Sequence, residues 1–409
     1  MRILSCRLGM LVAWGLALVA TAPAYADDVT AVVTGKNLIL TGDAGTHSIV
    51  VDAVGLVPGQ LRVTPHDSTT VNGGGVAVVV DGFTGDIQLA LGAGNNQTEL
   101  SGIFIPGSVV MKGRGGNDAL DVMASRVDGA LTLDLGRGTN SVHAWADHIE
   151  KDVQYKGGAD SDSVLIEASS LLAKATFALG AGPNTLQIDA ISVDGDFKYK
   201  GGADSDAVVV KNSGLHANAR FDLGGGSNTF QVASSALDHN LMYNGSGGGD
   251  SIVLGTFGIS GNAALNLGAG PNTFLFDGGG TGGKLSYRGG KDSDAVTLQG
   301  ASIVGNANLT LAAGANTFAL TMTSDVGGDL QVNGNKGIDA VLCKDSTVEQ
   351  TAKMFLGAGD NTIDLDNAVI KGDLVVRTGK GDDTVTFTNI VEVDGVRKID
   401  LDGGTNTPP

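Results

Sequence analysis

The chain has 409 residues and a formal charge of −18, from 44 acidic and 26 basic side chains. That acidic balance argues against binding to nucleic acid or to anionic membrane and favours a soluble protein. Sixty-four glycines with only 5% aromatics, set among alternating Val, Leu, Ile and Thr, exclude a helical bundle and point to all-β structure with many turns.

Taken in chain order, residues 1–26 read as a secretory signal peptide. Arg2 and Arg7 make a basic start, residues 8–20 an apolar run, and Ala24-Tyr25-Ala26 a small-x-small cleavage site. The run is too short and wrongly flanked for a membrane span, and Cys6 lies before it, where a lipid-anchor cysteine is not expected. Removing the segment takes away two arginines and no acid, so the formal charge becomes about −20. The expectation is a secreted bacterial protein: extracellular, at the cell surface or periplasmic. Cys343 is then the one remaining cysteine, which leaves no internal disulfide, and its alignment with Ile188, Val210 and Leu254 predicts a buried thiol.

Residues 27–85 form an N-terminal cap with degenerate rungs. Residues 38–51 (LILTGDAGTHSIVV) read as one such rung, with His47 where later rungs carry Asp or Asn. Residues 63–80 are irregular, with Pro65 and the turn-rich Asn72-Gly73-Gly74-Gly75. A solenoid needs an atypical end of this kind to cover its first strand.

Residues 86–409 repeat. YKGGADSDAVVV at residues 199–210 returns from Tyr155 as YKGGADSDSVLI, from Tyr243 as YNGSGGGDSIVL and from Tyr287 as YRGGKDSDAVTL, in steps of 44 residues. Weaker copies begin at Met111, Val332 and Val376, and midway stands a second motif, FDLGGGSNTFQV from Phe221 and LNLGAGPNTFLF from Leu265. The last polar turn residue of each motif makes one column: Asn96, Asp118, Asn140, Asp162, Asn184, Asp206, Asn228, Asp250, Asn272, Asp294, Asn316, Asp339, Asn361, Asp383 and Asn406. Its steps are 22 residues, with two of 23 near the end. Such a period is the mark of a repeat architecture.

Two, four and nine residues after the column the side chains are apolar, as in Val208, Val210 and Leu215, with polar or small residues between. Three apolar patches parted by glycine-rich bends predict a coil of three short strands. Stacked coils predict an all-β, right-handed parallel β-helix, a β-solenoid of about 15 rungs. A single flattened coil of 44 residues is the competing geometry. The 44-residue super-period has a packing cause. Asp rungs carry Val153, Phe197, Leu241 and Leu285 nine residues before the turn, and Gly157, Gly201, Gly245 and Gly289 five before it. Asn rungs carry Ala175, Ala219, Ala263 and Ala307, then Leu179, Leu223, Leu267 and Leu311, so core volume stays constant.

The Asp turns include Gly113-Arg114-Gly115-Gly116-Asn117-Asp118 before Ala119-Leu120, and Gly379-Lys380-Gly381-Asp382-Asp383 before Thr384-Val385. They resemble the GGxGxD repeats of the RTX family, the haemolysin-type calcium-binding repeats of secreted proteins, and are similar to other glycine-rich repeats of bacterial surface proteins. The resemblance implies Ca²⁺ held by turn carbonyls and Asp carboxylates of stacked coils. It marks Asp118, Asp162, Asp206, Asp250, Asp294, Asp339 and Asp383 as ligands, with Asp160, Asp204, Asp292 and Asp382 beside them. The family repeats every nine residues, whereas here Asp160, Asp204 and Asp292 replace a turn glycine and every second turn offers Asn. The residues alone also allow a metal-free ladder, with Asn and Asp bonding to turn backbone and to one another. Asn rungs then space the carboxylates from about 4.8 to about 9.6 Å and halve their repulsion.

Elsewhere, Lys112, Lys156, Lys200, Arg288 and Arg377 form a stripe beside Asp134, Asp222 and Asp400 of the Asn rungs, which predicts a surface ion ladder. Tyr155, Tyr199, Tyr243 and Tyr287 fall in an apolar column near the glycine turns. His143, Trp145 and His148 form the one unusual exposed cluster, a candidate ligand site at which Trp145 could stack on a sugar. Thr185, Thr229, Thr273 and Thr317 point outward, without the second threonine column of an ice-binding face. Uniform rungs provide no loop walls for a cleft, and the acids recur instead of gathering once. The expectation is therefore a structural or adhesive solenoid and not an enzyme, calcium-stabilised if the resemblance holds, with polysaccharide or other cell-surface components as partners. The alternative is a carbohydrate-active β-helix, either a polysaccharide lyase or hydrolase or a sugar-binding module near Trp145.

Overall fold

A computed structural model describes residues 27–407 and Pro409; residues 1–26, read from the sequence as a signal peptide, lie outside the described residues. Period-2 alternation produces extended backbone with one buried face, and the chain turns wherever that alternation breaks. In the rung of Asp206 the strands are Phe197–Lys200 before the turn, Ala207–Lys211 after it, and the short Gly214–Leu215. Each pairs in parallel with its counterpart 22 residues on: Phe197 with Ala219, Val208 with Phe230, Leu215 with Leu237. The coil is therefore 22 residues long, and the 44-residue coil is ruled out. The strand after the turn recurs from Gln97–Ser101 to Thr384–Thr388, giving a β-solenoid of about 14 coils. A fifteenth turn, at Asn406, adds only the isolated bridge Thr384–Thr407.

The core is a continuous apolar column. Phe230, Val208, Val210 and Leu215 are at most 3% exposed. Phe197 lies in register with Ala175 and Ala219, the large-against-small alternation read from the sequence. Between these rungs Phe177, Phe197, Phe221, Phe230 and Tyr243 form a chain of rings with centroids 4.4–5.5 Å apart. Cys343 is 3% exposed, and burial pushes its thiol up to about 12.

Residues 27–85 break the pattern. Leu38 and Ser48 stack in parallel on Ile87 and Gln97 of the first coil. Antiparallel pairs complete most of the region, Asp28–Thr34 against Asn37–Gly42 and Gln60–Pro65 against both Ser48–Asp52 and Val78–Asp81, while the short Thr70–Val71 lies parallel to Asp28–Thr34.

One corner was not legible beforehand. Six residues after the column the backbone enters the left-handed region, at Ala124, Ala146, Ala168, Ala190, Asn212, Ser234 and Thr256, with φ of 48–56°. An alanine there costs about 1–2 kcal/mol. The stack holds it, because the amides of Ala124 and Ala146 donate to the carbonyls of Trp145 and Glu167 on the next rung at 2.8 and 3.1 Å. Both 23-residue steps are absorbed at this corner. Met322 and Thr323 both have positive φ, and Asn389 is followed by an exposed Ile390. The polar column keeps its register through both insertions.

Candidate functional site: the polar ladders

The Asn/Asp column is buried and continuous. Each Asn Oδ1 accepts the backbone N–H of the preceding Asp, as from Asp206 to Asn228 at 2.9 Å. Each Asp Oδ1 accepts two bonds from the preceding Asn, as from Asn184 N at 3.0 Å and Asn184 Nδ2 at 3.1 Å. The Asn amide also closes its own turn, with Asn184 Nδ2 on the carbonyls of Gly180 at 3.1 Å and Gly182 at 2.8 Å. His47 holds the first place in the column, its Nδ1 2.8 Å from Asn96 Oδ1.

The seven aspartates marked by the RTX resemblance, Asp118, Asp162, Asp206, Asp250, Asp294, Asp339 and Asp383, are all at most 2% exposed. Their Oδ2 atoms are buried without a hydrogen-bond partner. Six of the seven lie over the glycine five residues before them, Asp383 having Thr378 there instead: a Cβ at Gly289 would meet only Asp294 atoms within its three nearest neighbours. This is the reason for the glycine column. Leucine occupies that place in Asn rungs, where the amide bonds to its own turn instead. The hydroxyls of Tyr155, Tyr199, Tyr243 and Tyr287 are likewise buried without a partner. Those of Tyr155, Tyr199 and Tyr243 lean toward Asp162, Asp206 and Asp250 without closing into a bond, which eases these carboxyls down slightly. Loss of hydration dominates. It raises the carboxyls of Asp118, Asp162, Asp206, Asp250 and Asp339, and takes Asp294 to about 6, with a small further push from Asp292. The phenols of all four tyrosines are also raised, first by burial and then by the neighbouring carboxylates.

Asp160, Asp204 and Asp292 lie outside, each accepting a turn N–H from the preceding rung: Gly138 at 3.0 Å, Gly182 and Gly270 at 2.9 Å. Asp382 accepts from Thr405 N at 2.6 Å. Among the described residues no group of three or more His, Cys, Asp or Glu side chains converges. Calcium asks for six to eight oxygens around one point. Here the column carboxylates face the core and the outer ones are committed to backbone, a geometry that suits a hydrogen-bond ladder better than a calcium turn.

Two further ladders escaped sequence reading. At the left-handed corner, Ser125 Oγ accepts Ile103 N at 3.2 Å, Asp147 Oδ1 accepts Ser125 N at 2.8 Å and Ser169 Oγ accepts Asp147 N at 3.1 Å. Asp147 is 3% exposed, and burial raises its carboxyl to about 7. The signal was the recurrence of Ser125, Ser169 and Ser213 at 44-residue spacing. At the third bend the sense reverses, and a side chain accepts the N–H of the rung after it. Asn240 Oδ1 takes Asn262 N at 2.9 Å, and Asp329 Oδ1 takes Thr351 N at 3.1 Å.

The His143, Trp145 and His148 cluster does not converge. His143 lies between Asp121 at 3.7 Å and Glu167 at 3.4 Å, whereas His148 turns to Glu150 at 3.1 Å across the corner. Trp145 is 47% exposed. Of the cationic stripe, Lys156 reaches Asp134 at 3.1 Å, and Arg377 lies over the Phe355 ring at 5.7 Å. A shallow trough of about 550 Å³ lies over Gly258, Gly280 and Gly282, where side chains are missing from successive rungs.

Fold and corners together define a parallel β-solenoid whose bends are tied by side-chain ladders. No protein-family model matches the chain, and a search of the curated proteins finds no match.

Proposed function

We propose that the chain is an exported structural rod, a scaffold or adhesive element of the bacterial surface or its surroundings and not an enzyme. What supports this reading is repetition: one hydrogen-bond pattern runs from Asn96 to Asn406, and its polar groups serve neighbouring rungs. A catalytic centre needs groups gathered once around a reacting atom. Calcium stands outside the proposal because the Oδ1 of each column Asp is already taken by two donors of the preceding Asn. Polysaccharide or other cell-surface components are the partners that suit such a rod. The test is removal of residues 163–206, which joins Asp162 to Ala207 and keeps both column and super-period. A scaffold should fold, export and bind as before with a shorter rod. Turnover of an acidic polysaccharide by the full chain would overturn the reading.

The exposure of Trp145 favours a second reading, a sugar-binding module on the same rod. Trp145 is the sole tryptophan after residue 26. Saturable quenching of its fluorescence by a glycan would support that reading, and a flat titration would remove it.

A further inference from the structure

One face of the rod is uncharged. On the strand that follows each turn, the first and third residues point outward and are exposed or half-buried. Over the nine rungs from Asp162 to Asp339 none of these positions carries a charge. They hold Ser, Thr, Ala or Gln, and the apolar Leu165, Val209, Val253, Leu275 and Leu342, all half-buried. Charge bounds the face at both ends, with Glu99 and Asp121 before it and Asp364 after. Elsewhere the same rungs display Lys198, Lys200, Asp204, Arg220 and Asp292. A chain of about −20 has little reason to leave one long face neutral for solubility alone.

We propose that this face pairs with a second copy of the chain, rod against rod, about a two-fold axis through the rung of Asp250. With its charged edge included, nine rungs of five-residue strands cover about 43 by 16 Å, or about 700 Å² per copy. The total of about 1,400 Å² falls within the range of specific interfaces. Charge decides the orientation. At the edge of the face, five residues after each column position, stand Glu167, Asp189, Lys211, Asp277 and Lys344. Parallel rods meeting face to face would reverse the strand direction and set these residues against the uncharged first position of the same rung, Glu167 on Ser163 and Lys344 on Ala340, leaving the charges unpaired. Antiparallel rods set Glu167 against the other copy's Lys344, Leu165 against Leu342 and Val253 against itself, a closed isologous arrangement. Pairing of this kind does not depend on the rod's role.

The test uses the chain without residues 1–26. At about 100 µM, well above the dissociation constants usual for such an area, sedimentation should show twice the monomer mass. Val253→Asp sets two carboxylates against each other at the axis and should halve that mass. With both proteins diluted until monomeric, its melting temperature should match that of the wild type, because position 253 points outward. Leu165→Cys and Leu342→Cys should each stay uncrosslinked alone and form a disulfide dimer when mixed and oxidised; the native Cys343 is buried. A monomeric wild type overturns the proposal, as does crosslinking of Leu165→Cys to itself. Loss of polysaccharide binding in Val253→Asp, with the wild type monomeric, would also overturn it and give the face to a glycan.

Discussion

Gly289→Ala isolates the fit between the glycine and carboxylate columns. A Cβ at 289 would lie 2.6 Å from Asp294 Cγ and 3.3 Å from Oδ1, and closer still to Oδ2. The carboxylate cannot swing away without leaving Asn272, whose N and Nδ2 donate to Oδ1 at 3.2 and 2.9 Å. Two lost bonds at about 1 kcal/mol each, with a buried N–H left unpaired at about 1–3 kcal/mol, give a cost of about 3–5 kcal/mol. Asp294→Asn offers the side chain another seat. Asn272 shows it, with Nδ2 on the carbonyls of Gly270 at 2.8 Å and Gly268 at 3.4 Å. An amide at 294 can turn likewise toward Asp292 and Gly290, keeping Oδ1 for Asn272. In that background Gly289→Ala should cost about 1–2 kcal/mol, so the two changes couple by about 2 kcal/mol. Because a stack of rungs opens locally, native-state hydrogen exchange at the Asn272 amide is the measurement. Effects that add to within about 0.5 kcal/mol would refute the proposed fit.

Phe230→Asp should destabilise by about 4 kcal/mol or more, because it sets an unpaired charge between the rings of Phe221 and Tyr243. The exposed Thr229→Asp should cost under about 1 kcal/mol in the same denaturation series, and equal costs would put the register in error. Burial raises Asp294 to about 6 and Asp147 to about 7 in the folded chain, above the ordinary 3.8, so the fold holds these protons more tightly than the unfolded chain does. That contribution is complete below about pH 4 and is lost as pH climbs through 6 and 7, so the melting temperature should be higher at about pH 5 than at about pH 8. Asp147→Asn should flatten the part of the slope above about pH 6, and an unchanged slope would count against it. Calcium and magnesium at matched ionic strength should shift melting alike, through screening alone. A rise specific to calcium in calorimetry would restore the RTX reading and refute the metal-free ladder.

The architecture was legible because each rung repeats the same physical demands. Val208, Val210 and Leu215 recur with their neighbours at fixed offsets, and only a stack can bury such columns. The alternation of Gly201 with Leu179 was also readable as volume compensation. Its second cause, a carboxylate lying over the glycine, was not, because sequence shows that bulk is absent without showing what fills the space. The left-handed corner left little trace, since Ala146 and Ala168 carry none of the usual preference for that conformation. Asp147 was missed for a related reason. It stands once in a column otherwise held by serine or apolar residues, and only the stacked neighbours reveal it as part of a ladder.

The opposed sense of the ladders bears on how the chain reaches this state. In the Asn/Asp column a rung is capped by the one that follows, whereas at the third bend it is capped by the one before. No rung can complete its corners alone, so an isolated coil should not be a folding unit. Yet the partner is always near in the chain: the pairing distance is 22 residues in a chain of 409, a relative contact order of about 0.05. All-β domains normally fold slowly because they must close long loops, and this one closes only short ones. Once two adjacent coils have formed, each new coil docks on a finished template, and growth should proceed as a zipper whose rate barely depends on the number of rungs already in place.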